Sequence, residues 1–170
     1  MKNLAARGGA VWAGSLLMLT SIAGCAQRPP PPGLALDDLP ISGTLAGAAR
    51  RGFTSCIRSD AASMRCRRHD VMVLGHGPFE AAVDLVGGDG SGGFDQVTFW
   101  HDHDQYAVYA IAEAFERKGW TSCYNSLSDR GDQIVYARQG VPFRVMMDLS
   151  YYGKRRLRFV PDWNRRDRRC

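Results

Sequence analysis

The densest set of side chains able to do chemistry lies in residues 100–104, which read Trp-His-Asp-His-Asp. Imidazole and carboxylate groups bind divalent metals, so His101 and His103 are candidate metal ligands, with His69 or His76 completing a site. The segment lacks the His-Glu-x-x-His spacing that places two ligands on one helix face. The alternative, which we favour, is a strand-to-helix corner with acids at a helix N-terminus.

Two further features could carry chemistry. Asp84 and Asp148 occupy equivalent places in a repeated pattern, and paired carboxylates can act as acid and base when held together. The favoured alternative is a structural role for both, as solvent-facing strand positions or turn anchors. The glycine-rich segment Gly87–Gly93 lacks the Gly-Lys of a phosphate-binding loop, so it predicts a hairpin loop instead.

The thiol of Cys25 is a candidate for covalent modification. It closes a thirteen-residue apolar run, Ala10–Ile22, which follows the positive residues Lys2 and Arg7. A membrane-spanning helix needs about 20 apolar residues, so this shorter run is typical of the core of a signal peptide.

The segment Ile22-Ala23-Gly24-Cys25 resembles the lipobox of bacterial lipoprotein precursors. The resemblance implies that Cys25 is alkylated with diacylglycerol, becomes the first residue after cleavage, and is then acylated on its amine. Several acyl chains anchor a protein firmly, whereas one chain binds only marginally. The implied location is the cell envelope, facing the periplasm. Ala26 replaces the Asp that commonly retains such proteins at the inner membrane, which favours the outer membrane. An ordinary signal peptide with a chance cysteine is the alternative.

Charge is distributed unevenly after the predicted cleavage point. Two of the 22 basic residues precede Cys25, which leaves 20 against 17 acidic residues, or about +3. Residues 154–170 hold eight basic and two acidic residues, a charge of +6. Because arginines bind phosphates and carboxylates through forked hydrogen bonds, we expect an anionic lipid, lipopolysaccharide or an acidic envelope protein as partner, and no nucleic acid. The candidate anion-binding residues are Arg155, Arg156, Arg165, Arg166, Arg168 and Arg169. A solvated tail is the alternative.

Four more cysteines follow Cys25, and an even number in an exported domain indicates disulfides. Cys56 and Cys66 are close enough in sequence to join the strands of a hairpin. Cys123 and Cys170 remain as the second candidate pair, with a free thiol at Cys170 as the alternative.

An internal repeat gives the clearest structural pattern. Residues 51–56, Arg-Gly-Phe-Thr-Ser-Cys, recur at 118–123 as Lys-Gly-Trp-Thr-Ser-Cys. The Pro-Phe and Asp-Leu pairs within 78–85 recur in the same order within 142–149. Two collinear matches indicate a duplicated supersecondary unit.

Each copy predicts a helix followed by about four antiparallel strands. The helices are expected at 45–51 and 103–118, the second starting at an Asp102–Gln105 capping pair and ending at a left-handed Gly119. Strands are expected to pair as 79–86 with 94–100, and 143–151 with 156–160. The predicted fold class is therefore α+β, a tandem duplicated unit with helices packed on one face of the sheet.

This layout is similar to the tandem helix-plus-four-strand arrangement of the β-lactamase inhibitory protein family, which also has a short-range disulfide between early strands. The predicted segments are a signal peptide (1–24), an acylated cysteine with a proline-rich linker (25–38), two repeats (39–101 and 102–162) and a basic tail (163–170).

These patterns predict an envelope lipoprotein with a non-catalytic binding or structural role and no cofactor. The first alternative is an envelope metal-binding protein or hydrolase that uses His101 and His103. The second alternative, an inhibitor of a secreted enzyme, is implied by the layout alone.

Overall fold

The computed structural model of the chain describes residues 35–37, 39–126, 131–150 and 155–162. Within these ranges it contains ten strands and two helices. In chain order they are β1 (Ala35–Leu36), β2 (Leu39–Pro40), α1 (Leu45–Arg50), β3 (Ser55–Arg58), β4 (Ser63–Val73), β5 (His76–Val86), β6 (Phe94–Trp100), α2 (Ala107–Arg117), β7 (Thr121–Asn125), β8 (Gln133–Ala137), β9 (Phe143–Asp148) and β10 (Arg156–Pro161).

The predicted α+β class, with helices packed on one face of the sheet, is wrong. Of the described residues, 50% lie in strands and 14% in helices, so the fold is mostly β. Helix α1 has six residues, which make less than two turns, and α2 has eleven. The apolar pattern before Gly52 is too short to form a helical layer comparable with the sheet.

A single large sheet organises the domain. Its eight strands lie in the order β3-β4-β5-β6-β10-β9-β8-β7, and every neighbouring pair is antiparallel. Strands β6 and β10 meet at the centre, and β3 and β7 form the two edges. The predicted boundary between residues 101 and 102 lies between β6 and α2, and the prediction of two repeats stays a prediction.

The predicted hairpin of residues 79–86 and 94–100 is confirmed by the pairing of β5 with β6. Strands β4 and β5 form a longer hairpin, whose turn consists of Leu74 and Gly75. Both turn residues have left-handed backbone angles, with φ of 51° and 77°, which suits the twist of a two-residue hairpin turn. Glu80 lies opposite Trp100, the last residue of β6, so the hairpin tip extends beyond β6.

The hydrophobic core lies against one face of this sheet. Val97 and Phe99 of β6 lie opposite Phe159 and Leu157 of β10, and all four side chains are buried. Helix α2 contributes Phe115, whose ring centre lies 6.1 Å from that of Phe159. Since successive strand residues point to opposite faces, the residues between these belong to the other face of the sheet.

The predicted Cys56–Cys66 disulfide is confirmed. The two residues lie directly opposite each other on β3 and β4, with Cα atoms 4.0 Å apart. Every residue of the edge strand β3 is exposed, so the disulfide ties an otherwise lightly held strand to the sheet. Cys123 is also disulfide-bonded, whereas its predicted partner Cys170 lies outside the described residues.

None of the helices within the described ranges is long and apolar enough to cross a membrane. The predicted signal peptide, the acylation at Cys25, the linker up to residue 34 and the tail from residue 163 lie outside these ranges. They stay predictions.

Candidate functional site

The sheet face opposite the core, here called the polar face, carries hydrogen-bonding side chains at its centre. Directly opposite residues of an antiparallel pair point to the same side of a sheet. Asp84 of β5 lies opposite Arg65 of β4 and Gln96 of β6. The neighbouring residues Val83 and Val97 point into the core, so these three polar side chains share the other face.

Six residues, one on each of six adjacent strands, form a continuous hydrogen-bonded row across this face. We call this set the polar row. In spatial order its members are Arg65, Asp84, Gln96, Arg158, Asp148 and Gln133, on β4, β5, β6, β10, β9 and β8.

One half of the polar row is centred on Asp84. Arg65 donates from Nε to Oδ1 at 2.6 Å and from Nη2 to Oδ2 at 2.8 Å, a bidentate ion pair. Gln96 donates from Nε2 to Oδ2 at 2.8 Å. The carboxylate is therefore held by one arginine and one glutamine from the two flanking strands.

The other half is centred on Asp148 and is more deeply buried. Arg158 donates from Nη2 to Oδ1 at 2.9 Å and from Nε to Oδ2 at 3.1 Å. Gln133 donates from Nε2 to Oδ1 at 2.7 Å. All three residues are buried, so this ion pair depends on its internal partners rather than on water.

Arg158 also joins the two halves at the centre of the sheet, donating from Nη1 to Oε1 of Gln96 at 3.3 Å. Thr98 lies directly opposite Arg158 and is buried, yet its Oγ1 has no hydrogen-bond partner in the described part of the chain. The centre of the polar face therefore combines a guanidinium whose three nitrogens all donate hydrogen bonds with one unsatisfied hydroxyl.

This arrangement favours a structural role for Asp84 and Asp148, but the predicted solvent-facing position is wrong for Asp148, which is buried. They lie on β5 and β9, whose backbones are three strand spacings or about 14 Å apart across the sheet, and the side chains of Gln96 and Arg158 lie between the two carboxylates. Paired carboxylates of glycoside hydrolases lie within about 9.5 Å of each other. Each aspartate is instead neutralised by its own arginine.

The loop after β6 uses His101 to close a turn. Its Nδ1 accepts hydrogen bonds from the backbone N–H groups of His103 at 3.2 Å and Asp104 at 2.8 Å. Asp104 Oδ1 in turn accepts the backbone N–H of Tyr106 at 2.8 Å. The side chains of this segment therefore satisfy local backbone donors before α2.

The predicted helix start at Asp102 and Gln105 is wrong. Helix α2 begins at Ala107, and Tyr106 occupies the N-cap position without a side-chain hydrogen bond. Asp102 Oδ1 accepts the indole N–H of Trp100 at 3.1 Å. Residues 101–104 instead form the turn closed by His101, and the helix starts about one turn later than predicted. The predicted left-handed Gly119 after the helix is confirmed, with φ of 80°.

The four histidines do not converge on one site. His69 Nδ1 lies 2.6 Å from Glu80 Oε2, and the hydrogen bond to Glu80 raises the pKa of His69 above its usual range. The ring centres of His101 and His103 are 6.5 Å apart, and His76 lies at the start of β5. Among the described residues, no three histidine, cysteine or acidic side chains form a group that could hold a metal ion.

Two of the six candidate anion-binding arginines lie in the described ranges. The Arg155 guanidinium lies 4.8 Å from the ring centre of Tyr109, and that of Arg156 lies 5.9 Å from Trp100. Both are therefore positioned by cation–π contacts. Arg165, Arg166, Arg168 and Arg169 lie outside the described residues.

The structure adds a site that the sequence did not predict, an open cleft of about 550 Å³ at one end of the molecule. It lies between the turn after β1, the tip of the β4–β5 hairpin and the C-terminal end of α2. Its lining consists of Asp37, Leu74, Gly75, His76, Ala114, Arg117 and Lys118. The only signal in the sequence was His76 in a Gly-His-Gly-Pro turn; the other charged residues come from elements far apart in the chain.

The comparisons with known proteins find no match for this chain among family models, curated sequences or solved structures. The resemblance to the β-lactamase inhibitory protein family, like that to lipoprotein precursors, therefore stays a prediction.

Proposed function

We propose that this protein is a lipid-anchored envelope lipoprotein whose folded domain acts by contact, in a non-catalytic binding or structural role. The anchor is supported by the lipobox-like segment that ends at Cys25. The contact role is supported by the way the folded domain uses its ionisable side chains.

The observation that carries the contact role is the polar row. Asp84 and Asp148 are the acids that the repeated pattern places in equivalent positions, and each is engaged by one arginine and one glutamine. Carboxylates held in this way stabilise the sheet, because their oxygens accept hydrogen bonds from internal donors. His101 is similarly occupied by two backbone N–H groups.

The outer strands suit a domain that presents a fixed surface. The edge strand β3 is tied to β4 by the Cys56–Cys66 disulfide and exposes Ile57, which is 56% accessible. At the other edge, β7 exposes Tyr124. Exposed apolar and aromatic side chains on strands that are fixed within a sheet are favourable contact points for a partner protein.

The partners that we propose follow from the basic residues. Arg155, held beside Tyr109, offers a guanidinium to phosphate or carboxylate groups, and Arg156 places a second positive charge beside Trp100. Anionic lipid, lipopolysaccharide and acidic envelope proteins carry such groups, and the outer membrane is the proposed location.

The anchor is tested by labelling cells with a radioactive fatty acid. We expect label on the wild-type chain and none on Cys25→Ala, with the wild-type protein in the membrane fraction. Label that persists in Cys25→Ala, or a wild-type chain without label, would contradict the anchor.

The contact role is tested by photo-crosslinking in intact cells, with a crosslinking amino acid at Arg156 or, as the control, at exposed Gln139. We expect a discrete adduct from position 156 and none from 139. Equal diffuse labelling at both positions would contradict a specific contact through this part of the polar face.

A further inference from the structure

The cleft lies at the end of the domain where the chain enters the fold. Ala35 is the first described residue, and it pairs with Pro40 in the β1–β2 hairpin. The turn of the β1–β2 hairpin is hydrogen-bonded to the Leu74–Gly75 turn, since Asp37 Oδ2 accepts the backbone N–H of Leu74 at 2.6 Å. We call this end, with the cleft and the last turn of α2, the tether end.

We propose that the cleft at the tether end binds the phosphate of an anionic phospholipid headgroup, so that the domain docks onto the bilayer by this end. The proposal rests on the proposed lipid anchor and extends it to a surface of the folded domain. The headgroup that we propose is phosphatidylglycerol, which offers a phosphate together with hydroxyl groups.

The charges of the cleft fit this ligand. Lys118 and Arg117 supply two cations, and within the described ranges the side chains of Lys118 and His76 form no hydrogen bond or ion pair. Arg117 has only an exposed contact of 3.6 Å with Glu113 of the preceding turn, which is a weak interaction. Both cations are therefore available to a phosphate.

The one acid in the cleft narrows the choice of headgroup. Asp37 is exposed and uses Oδ2 to accept the Leu74 N–H, which leaves Oδ1 able to accept from a ligand. A headgroup that places hydroxyl donors beside its phosphate satisfies this acid and the two cations together. The trimethylammonium of phosphatidylcholine has no hydrogen to donate.

The length of the chain between the predicted anchor and the cleft permits the contact. Ala35 follows Cys25 by ten residues, which span at most about 35 Å when fully extended. Ala35 therefore lies within about 35 Å of the anchored residue whatever path those residues take, so the tether end can reach the bilayer surface. Met72, 49% exposed on the same hairpin, adds an apolar side chain that can enter the headgroup region.

Hydrogen exchange of the full-length chain reconstituted into vesicles tests the docking. Amides of residues 73–77 and 115–119 are compared between phosphatidylcholine vesicles and phosphatidylcholine vesicles containing phosphatidylglycerol. We expect slower exchange in both segments only with phosphatidylglycerol. Removing one cation by Lys118→Gln should weaken the effect about fivefold, the change expected for one basic residue at an anionic surface.

Two controls make the result decisive. Arg138→Gln removes an exposed cation from another turn and should leave the protection unchanged. Inorganic phosphate alone should not reproduce the protection of these amides. If it did, the cleft would be a phosphate site without lipid docking. Equal exchange in both vesicle types, or protection unaffected by Lys118→Gln and Arg117→Gln together, would overturn the proposal. Fatty-acid labelling of Cys25 reports separately on the anchor, so the two failures can be told apart.

Discussion

The two carboxylates of the polar row have the same kinds of partner but different surroundings. Each binds one arginine and one glutamine, yet the side chains of Arg65 and Asp84 are 32% and 15% exposed, whereas those of Arg158 and Asp148 are 6% and 8% exposed. The positions of the partners are exchanged as well. Asp84 has its arginine on the outer side, on β4, whereas Asp148 has its arginine on the inner side, on β10.

The difference shows that the place of an ion pair in the sheet decides its contribution to stability. A pair that water can reach contributes about 0.2–1 kcal/mol. Removing one partner of a buried pair costs about 3–5 kcal/mol, because the other charge is left without compensation. Since β10 lies at the centre and β4 next to the edge, the same chemistry should stabilise the two halves unequally.

The largest expected effect is that of Arg158→Met. The substitution removes the guanidinium from the buried Asp148 and keeps the hydrogen bond from Gln133, so the free energy of unfolding should fall by about 3–5 kcal/mol. Chemical denaturation monitored by circular dichroism measures it. The double variant Arg158→Met with Asp148→Leu should recover most of the loss. A loss no larger than that of Arg65→Met would contradict the comparison.

A smaller effect of opposite sign is expected at Thr98, between the two halves. Thr98→Val keeps the shape of the side chain and removes a buried hydroxyl that has no hydrogen-bond partner in the described chain. The free energy of unfolding should rise by about 1 kcal/mol. Thr121→Val is the matched control, because the Thr121 hydroxyl donates to the carbonyl of Ala137 and should not yield a gain.

Arg65→Met should lower the free energy of unfolding by about 1 kcal/mol or less. Asp84 keeps the hydrogen bond from Gln96 and regains contact with water, because both members of the pair are partly exposed. Denaturation at low and high salt checks the assignment, since salt should screen this pair more than the buried one. If Arg65→Met lowered the free energy of unfolding as much as Arg158→Met does, the two pairs would not differ in their contribution to stability.

The smallest effect concerns the pair of His69 and Glu80, of which Glu80 lies on β5, the strand of Asp84. Glu80 raises the pKa of His69 in the folded protein, so the pair contributes stability below the unfolded pKa of about 6.5. That contribution is lost as the pH rises through the raised folded value. Nuclear magnetic resonance titration of His69 should show the raised pKa, and Glu80→Gln should return it towards 6.5. If the pKa of His69 were the same in Glu80→Gln as in the wild type, Glu80 would not be the cause of the raised pKa.

Local patterns predicted several elements correctly. The glycine-rich segment Gly87–Gly93 between two strand-like segments predicted the β5–β6 hairpin, and the short spacing of Cys56 and Cys66 predicted their disulfide. These features depend on neighbours in the chain, so their signals are local.

Other elements could not be predicted because distant contacts decide them. The sequence predicted a helix and about four strands in each copy, but it did not predict the order in which eight strands join into one sheet, because that order depends on contacts between distant segments. The start of α2 was displaced by hydrogen bonds to His101. The cleft needs Asp37, His76 and Lys118 from three separate elements.

The amino-acid sequence by itself determined the equivalence of Asp84 and Asp148, because a repeated pattern is visible without any structure. Only the tertiary structure decided what each aspartate does. The order and register of the strands bring Arg65 to one and Arg158 to the other, and the sheet centre buries the second pair more deeply. Burial and pairing depend on residues that are far apart in the chain, and the local sequence does not contain that information.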